Sequence, residues 1–317
     1  MSPAAPALPG VLRRGLLRGL ATVWLLARIM IPVSACVAAL QWSGALARVG
    51  GALAPAMGLF GLPGETAVAL VTGACVGVYG AIAAASPVAL TATQMTVLAL
   101  MVLTAHNLIV ESAVQGRSGA SGPRMAALRV AAAVALGALL WQVLRHGDPG
   151  PLVTGGAADG GSAASGPLGA FAAAWAAGAA ALLLKIFLIL AALNVATEAM
   201  RAYGLFDLVG RRLGPVMRFL GLSDRVAFLW LTASVLGLAF GAGLLVDEAG
   251  ERDRYSPSDL RDLHVSIAIS HSLLEDTILF LAVGAHPFWI VAPRPLAAAV
   301  AVRAARRLDR AAARSDL

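Results

Sequence analysis

The sequence predicts an all-α protein, a polytopic bundle of transmembrane helices built from two homologous, inverted repeats with interrupted or re-entrant helices. Three observations predict this fold class: the composition, the length of the apolar runs and an internal repeat. Of the 317 residues, 59% are apolar and only 13% are charged, and the mean hydropathy is +0.81. A soluble domain carries about 25% charged residues. The composition therefore argues against a soluble globular enzyme.

The charge of the chain is consistent with a membrane protein. The formal charge is +7 and the pI is near 10.6, which raises the question of nucleic-acid binding. No basic patch with interleaved aromatic residues supports that reading. Arginines at the ends of membrane spans favour the cytoplasmic face and anionic lipid. We therefore expect the lipid bilayer as a partner, and no nucleic acid.

Apolar runs long enough to cross a bilayer recur along the chain. A span needs about 20 mostly apolar residues. The basic N-terminus precedes such a run directly, which predicts a retained first helix. The runs are Gly15–Leu40, Thr66–Ala85, Val88–Val110, Met125–Leu144, Leu168–Ala196, Val226–Val246 and a last stretch, His264–Pro293, that is polar in its first half.

The runs and the segments between them suggest four parts. Residues 1–145 form a first membrane repeat, and residues 168–295 form a second. Residues 146–167 are rich in Gly, Ala and Ser and are predicted to be a loop. Residues 296–317 are a basic tail, whose apolar part, Leu296–Val302, is too short to span and is expected to lie along the membrane surface.

The second half repeats the first. Gly44–Gly77 aligns with Gly204–Gly237 at an offset of 160 with 11 identities in 34 positions, where composition alone would give roughly three. Farther on, the offset becomes 165 and His106–Ser112 aligns with His271–Thr277. The charged loop Asp247–Arg254 accounts for the insertion. The chain is therefore predicted to be a tandem pair of membrane units.

Each aligned segment begins with a stretch that glycine and proline residues interrupt, and this stretch bears on the topology. It is too broken for a long straight span and predicts an interfacial helix or a re-entrant element. The second copy and its flanks carry five arginines, whereas the first carries only Arg48. The positive-inside rule then puts the two copies on opposite faces. Inversion needs an odd number of crossings per half, but the simplest count gives four in the first half, so either one segment is re-entrant or the inference fails.

Polar residues inside the apolar runs are the candidate site, because ionisable groups in membrane helices are costly and mark functional positions. On a continuous helix, His264, His271 and Glu275 would form one stripe, whereas His106 would stand about 140° from Glu111. The predicted substrate- or ion-binding residues are His106, Asn107, Glu111, His264, His271, Glu275 and Asp276.

Three roles remain open for these residues. Imidazole and carboxylate together suit zinc, iron or manganese. The same groups could carry protons, since histidine titrates near neutrality. They could also bond to one another across the repeat axis and fix the packing. Without an HExxH motif or paired cysteines a metal is not specified, and no cofactor is expected. No P-loop or G-x-S-x-G elbow indicates an enzyme.

At these residues the chain resembles a known family. The segments His106-Asn-Leu-Ile-Val-Glu111 and Ser270-His271-Ser-Leu-Leu-Glu275-Asp276-Thr look like those of bacterial nucleoside-recognition, or Gate domain, membrane proteins. The resemblance covers roughly Arg28–Ala120 and Lys185–Pro295. The family includes the spore maturation proteins, and related Gate segments occur in concentrative nucleoside transporters and ferrous-iron transporters. The chain lacks the GTPase domain and the cysteine-bearing gate of the iron transporters, so no binding residues are carried over.

The resemblance implies a multi-pass protein of the bacterial inner membrane with paired Gate units. Together with the repeats, it predicts a secondary transporter or channel for a small polar solute, nucleoside-like, or for a divalent metal ion. The alternative is a non-transporting membrane scaffold like the spore maturation proteins. A membrane enzyme is a third and weaker reading. A homo-oligomer is compatible with the sequence.

Overall fold

The computed structural model describes residues 8–154, 167–210, 212–238 and 255–315, and these are mostly helical. The predicted charged loop Asp247–Arg254 and the end of the predicted run Val226–Val246 lie outside the described residues. Residues 8–154 form α1 (Leu8–Trp42), α2 (Ala45–Gly58), α3 (Thr66–Val76), α4 (Val78–Ala85), β1 (Leu90–Thr91), α5 (Ala92–Ala105), α6 (Leu108–Arg117), α7 (Gly122–Leu144) and β2 (Leu152–Thr154).

The described residues from 167 onward are again helical. One long helix is followed by several short ones, and the chain ends in a second long helix. The elements are α8 (Leu168–Ala202), α9 (Leu205–Gly210), α10 (Gly214–Leu220), a 3-10 turn (Asp224–Val226), α11 (Ala227–Leu236), α12 (Pro257–Ile269), α13 (Glu275–Ala282), α14 (Pro287–Val291) and α15 (Pro293–Ser315).

Five helical segments among the described residues are long and apolar enough to cross a membrane. Four of them lie mostly within predicted runs, in the regions of α1, α5–α6, α7 and α8, and the fifth begins at the end of the last predicted run. This confirms the prediction of an all-α, multi-pass membrane protein. The segments are Gly19–Trp42, Ala92–Arg117, Gly122–Leu144, Leu168–Met200 and Pro287–Ala311.

The predicted span Thr66–Ala85 is wrong, because the chain reverses in its middle. Gly77 has a φ of 112°, between α3 and α4. A Cβ added at Gly80 would stand 2.9 Å from the Cγ2 of Thr72, although eight residues of continuous helix would separate the two positions by about 12 Å. The two helices therefore fold back on each other as a hairpin, and each is too short to span.

The prediction for the end of the chain also needs correction. The stretch His264–Pro293 is not one span, because α12, α13 and α14 divide it. The segment Leu296–Val302 is not a separate surface helix, because it continues the span Pro287–Ala311. Proline is tolerated in the first turn of a helix, where its missing N–H costs nothing. Pro293 therefore marks the start of α15 rather than the end of the apolar segment.

The segments outside the long helices are partly ordered. The interrupted stretches form the mostly exposed α2 in the first half and the short α9 and α10 in the second. Within the predicted loop 146–167, β2 pairs antiparallel with β1, and the Thr154 hydroxyl donates to the Val88 carbonyl at 2.8 Å. The start of this loop is therefore tied to the turn that precedes α5. Residues 155–166 lie outside the described residues.

The long helices pack in pairs. α1 lies along α8, so closely that a Cβ on Gly19 would stand 3.0 Å from the Cα of Ala191. α5 packs on α7, and α12 packs on α15. The buried apolar residues form two clusters, one around α5 and one around α12. α7 contacts both α5 and α12, and the polar candidate residues lie near this junction.

Backbone turns recur at the spacing of the sequence alignment. Pairs of residues separated by 160 or 165 positions share a positive φ. Two helices separated by 165 residues also begin with the same capping box, at Thr91 before α5 and at Ser256 before α12. The pairs with positive φ are Gly44 and Gly204, Gly61 and Gly221, Gly77 and Gly237, Asn107 and Ser272, and Gly119 and Gly284.

Candidate functional site at two helix breaks

The span Ala92–Arg117 is broken in its interior, between α5 and α6. His106 is extended, with φ −83° and ψ 161°, and Asn107 is left-handed, with φ 48°. Asparagine adopts this conformation more readily than most residues. The Asn107 N–H donates to the Gly73 carbonyl of α3 at 2.8 Å. The break therefore depends on a hydrogen bond from the neighbouring hairpin.

A second break, between α12 and α13, has the same form. Ser272 is left-handed, with φ 45°, and its N–H donates to the Ala233 carbonyl of α11 at 3.1 Å. The next N–H, of Leu273, donates to the Ser234 carbonyl at 2.7 Å. At each break, main-chain N–H groups thus donate to carbonyls of a neighbouring helix.

The two breaks bring four of the predicted residues together. His106 Nε2 lies 3.4 Å from Glu111 Oε1 and 3.2 Å from Asp276 Oδ2. His271 Nε2 lies 3.1 Å from Glu111 Oε2, and the centroids of the two imidazole rings are 4.9 Å apart. All four side chains are buried. We call His106, Glu111, His271 and Asp276 the central cluster.

Each histidine of the central cluster faces acceptors at both ring nitrogens. The Nδ1 atom of His106 lies 3.2 Å from the Val102 carbonyl, and that of His271 lies 2.7 Å from the Ile267 carbonyl. Both Nε2 atoms face carboxylates. A neutral imidazole has one N–H, whereas an imidazolium has two. Each ring therefore has an oxygen close to its N–H in either neutral tautomer.

Two fully buried arginines support the central cluster. Arg129 Nη1 lies 2.7 Å from Glu111 Oε2, and the same guanidinium donates to the Thr104 carbonyl at 3.1 Å and to the His106 carbonyl at 2.6 Å. Arg294 donates through Nη2 to the His271 carbonyl. Its Nε and Nη1 atoms have no hydrogen-bond partner among the described residues. Each arginine therefore donates to the main-chain carbonyl of the histidine at a helix break.

Sequence reasoning missed both arginines, although a signal was present. Arg129 lies inside the predicted run Met125–Leu144, where an ionisable residue is costly. Arg129 and Arg294 are also 165 residues apart, the same offset that relates His106 to His271. The cost of a charge inside an apolar run would therefore have selected Arg129, and the repeat offset would then have led to Arg294.

Three predicted residues lie outside the central cluster. Asn107 forms the first break through its backbone. Glu275 Oε1 accepts a hydrogen bond of 2.5 Å from the hydroxyl of Tyr79 in the α3–α4 hairpin. His264 lies in α12, where its Nε2 is 3.0 Å from the Ser118 carbonyl. The predicted stripe of His264, His271 and Glu275 does not form, because the break between α12 and α13 separates these residues.

The donor set of the central cluster matches a transition metal only in part. One ligand atom from each of His106, Glu111 and His271 lies within 4.8 Å of the others, and two imidazoles with a carboxylate suit zinc or iron. The guanidinium of Arg129, however, already lies against the Glu111 carboxylate. A cation bound there would share this carboxylate with a buried positive charge. The central cluster thus offers three ligand atoms to a metal ion, and the positive charge of Arg129 competes with the ion for Glu111.

Comparisons with known proteins identify the family. The family model for the Gate domain, described as nucleoside recognition, matches residues 23–136. The chain is 30% identical over 275 residues to the uncharacterized membrane protein YvoD of Bacillus subtilis (strain 168), covering 87% of each chain. No solved structure matches the chain. By this similarity and the Gate match, the chain belongs to the family of nucleoside-recognition (Gate) membrane proteins.

Proposed function

We propose that this Gate protein is a secondary transporter or channel for a small polar solute, with its site at the two helix breaks. The observation that carries the proposal is the central cluster, where broken helices hold buried ionisable side chains. Discontinuous membrane helices with polar groups at the break are typical binding sites in transporters. Buried ionisable residues in membrane segments are costly unless function or pairing retains them.

We further propose that the chain consists of two inverted repeats that meet at the central cluster. The support is the set of matched turns and contacts. Each half supplies a histidine at a break, and an arginine 23 residues later donates to the carbonyl of that histidine. With Thr66–Ala85 as a hairpin, the first half has three long spans, Gly19–Trp42, Ala92–Arg117 and Gly122–Leu144. An odd number is what inversion requires.

The membrane and its orientation follow from the charge distribution. The arginine-rich segments lie around α9–α10 and in the C-terminal tail. By the positive-inside rule these segments face the cytoplasm. If the broken pair α12–α13 crosses the membrane together, as α5–α6 does, each half has three crossings and the N-terminus faces the cytoplasm too. We propose the bacterial cytoplasmic membrane as the location.

The charges at the site favour an uncharged polar solute over a metal ion. Two carboxylates, Glu111 and Asp276, lie among two fully buried arginines, Arg129 and Arg294. This balance would be disturbed by adding a divalent cation, whereas a nucleoside-like solute brings only hydrogen-bond donors and acceptors. The Arg294 donors that have no partner among the described residues are available to oxygen acceptors on such a solute. The family description, nucleoside recognition, points to the same class.

A divalent cation is the second candidate, because His106, Glu111 and His271 supply a plausible ligand set. The two candidates differ in what Arg129 does. For a cation, removing the arginine charge would relieve repulsion and strengthen binding. For a polar solute, the same change would leave Glu111 without its ionic partner and weaken uptake.

The test is uptake by purified protein in liposomes, with radiolabelled nucleosides in one series and Fe²⁺ or Zn²⁺ in the other. We expect nucleoside uptake that falls at least tenfold in Glu111→Gln and in His271→Ala. His146→Ala, in an exposed position, is the matched control and should be unchanged. Monodisperse elution in detergent verifies that each variant is folded.

The alternative is a non-transporting scaffold. It predicts no flux of any solute by folded protein, and a cellular phenotype that survives loss of the cluster side chains. Uptake that is unchanged in both cluster variants would instead keep a transporter but move its site elsewhere.

A further inference from the structure

Polar side chains continue from the central cluster along α6 and α12. On α12, Asp262, Ser266 and Ser270 are four residues apart, so they share one face of the helix over about 12 Å. The next residue after Ser270 is His271 of the central cluster. We call the following set the polar path: Ser112, Gln115 and Ser118 of α6 and its end, with His264, Ser266 and Ser270 of α12 and its end. Every member is buried.

Hydrogen bonds join the two sides of the polar path. The side-chain amide of Gln115 donates to the His264 carbonyl at 3.0 Å. The His264 imidazole returns to α6, with Nε2 3.0 Å from the Ser118 carbonyl. These contacts hold the two helix segments together near the end of α6, one to two turns from Glu111. The path therefore runs beside the segment that carries the central carboxylate.

Many polar atoms of the path have no hydrogen-bond partner among the described residues. Buried polar groups normally form hydrogen bonds with protein or with water. Because several such atoms without a protein partner lie together between α6 and α12, we infer that they bind water. The atoms are Ser112 Oγ, Gln115 Oε1, His264 Nδ1, Ser266 Oγ and Ser270 Oγ.

Five of the six matched positions on the other side of the cluster are apolar. Shifting the path by 165 residues gives Ala99 for His264, Met101 for Ser266 and Ala105 for Ser270, all on α5. It gives Phe280 for Gln115 and Val283 for Ser118 on α13 and its end, while Ser112, the path residue next to Glu111, matches Thr277. Met101, Ala99 and Phe280 are buried. The two sides of the cluster thus share a backbone pattern but differ in polarity.

The far end of the α12 stripe reaches a charged surface. Asp262 is buried, and its carboxylate binds the partly exposed Arg261 and Arg306, at 2.6 Å in each case. A surface cavity of about 290 Å³ is lined by both arginines and by Asp259 and Asp309. This end lies beside the arginine-rich tail, which the positive-inside rule assigns to the cytoplasm.

We propose that the polar path is a hydrated route by which protons pass between the cytoplasmic face and the central cluster, while the apolar side closes the opposite face. The proposal deepens the proposed function, on which its coupling role rests, by naming the proton as the ion that reaches the site. Water joined by hydroxyl, amide and imidazole groups carries the proton along the path. Its inner end, Ser270, lies directly before His271 of the central cluster.

Water access is measured first, by thiol labelling in detergent. Cys36 and Cys75 are exposed and are replaced by alanine in every variant. Ser266→Cys is compared with its matched control Met101→Cys, and Ser270→Cys with Ala105→Cys. A small charged methanethiosulfonate reacts with a thiol in contact with water, and intact mass records its addition. We expect labelling at least tenfold faster in Ser266→Cys and Ser270→Cys than in their controls. Equal rates, or no labelling at either member of both pairs, would overturn the path.

Proton entry is measured second, in liposomes that contain a pH-sensitive dye, with and without a nucleoside. Gln115→Leu and Ser266→Ala should each slow proton entry at least threefold, with His146→Ala unchanged. Unchanged rates in both path variants, or no proton entry by the starting protein, would overturn the proton role. Faster labelling of the path cysteines without nucleoside uptake would retain the hydrated route and reject the proposed solute. Nucleoside uptake with equal labelling of path and control cysteines would retain the solute and reject the hydrated route.

Discussion

The two helix breaks share a backbone but not their polar contacts. At the first break, the guanidinium of Arg129 donates to two main-chain carbonyls, and its Nη1 atom forms an ion pair with Glu111 at 2.7 Å that is not a hydrogen bond. At the second, Arg294 donates to the His271 carbonyl, and its Nε and Nη1 atoms have no hydrogen-bond partner among the described residues. Each hydrogen bond or ion pair of a buried polar group helps to fix the structure, whereas a buried group that lacks one is costly until a partner arrives. We therefore expect the first break to be the more rigid of the two.

The largest expected effect comes from removing each arginine in turn. Arg129→Met leaves the Glu111 carboxylate buried without its ionic partner, and breaking such a pair costs about 3–5 kcal/mol of stability. Arg294→Met removes one hydrogen bond to a carbonyl and should cost clearly less. Thermal and denaturant unfolding of the purified variants in detergent measures the difference. The double variant Arg129→Met/Glu111→Gln should recover part of the loss, since the two residues are coupled. A larger loss in Arg294→Met would indicate that the second break is the more rigid.

A smaller effect is expected from the glycines beside the breaks. Gly77 and Gly237 both have positive φ, which costs other L-residues about 1–2 kcal/mol. A Cβ at Gly237 would also stand 2.7 Å from the Ser272 hydroxyl, whereas one at Gly77 would meet the Asn107 Cβ at 3.8 Å. Gly237→Ala should therefore destabilise more than Gly77→Ala in the same unfolding measurement. Gly51→Ala, which meets nothing within 4 Å in α2, is the control. Equal losses at Gly77 and Gly237 would mean that Ser272 moves aside freely.

The smallest effect should be the same in both halves. Thr91 and Ser256 each cap the helix that leads to a break, with the same reciprocal pair of hydrogen bonds. Replacing such a cap by alanine costs about 1 kcal/mol. Thr91→Ala and Ser256→Ala should therefore lower the unfolding free energy equally. If one loss exceeds the other by more than about 1 kcal/mol, the difference between the halves extends beyond the breaks.

Much of the fold could be predicted from hydropathy, and part of the site from the cost of buried charge. Composition and apolar runs identified four of the five spanning segments. They failed at Thr66–Ala85, because a run of apolar residues does not reveal that Gly77 reverses the chain. The residues His106, Glu111, His271 and Asp276 were selected because they are ionisable and lie in the two aligned segments. Their contacts were not predictable from helical periodicity. A continuous helix would place His106 and Glu111 on different faces and His271 and Glu275 on the same face, but the helix is broken at both places.

The α3–α4 hairpin has a consequence for how the protein is made. Its helices contain 11 and 8 residues, and neither can hold a stable position across the bilayer by itself during synthesis. The turn at Gly77 also presents main-chain polar groups that lipid cannot satisfy, and one of them, the Gly73 carbonyl, accepts from Asn107 at the later α5–α6 break as well as from Gly77. The hairpin must therefore wait at the membrane surface, or at the insertion machinery, until α5 and α6 have been synthesised. Membrane integration of this protein thus cannot follow the order of its sequence.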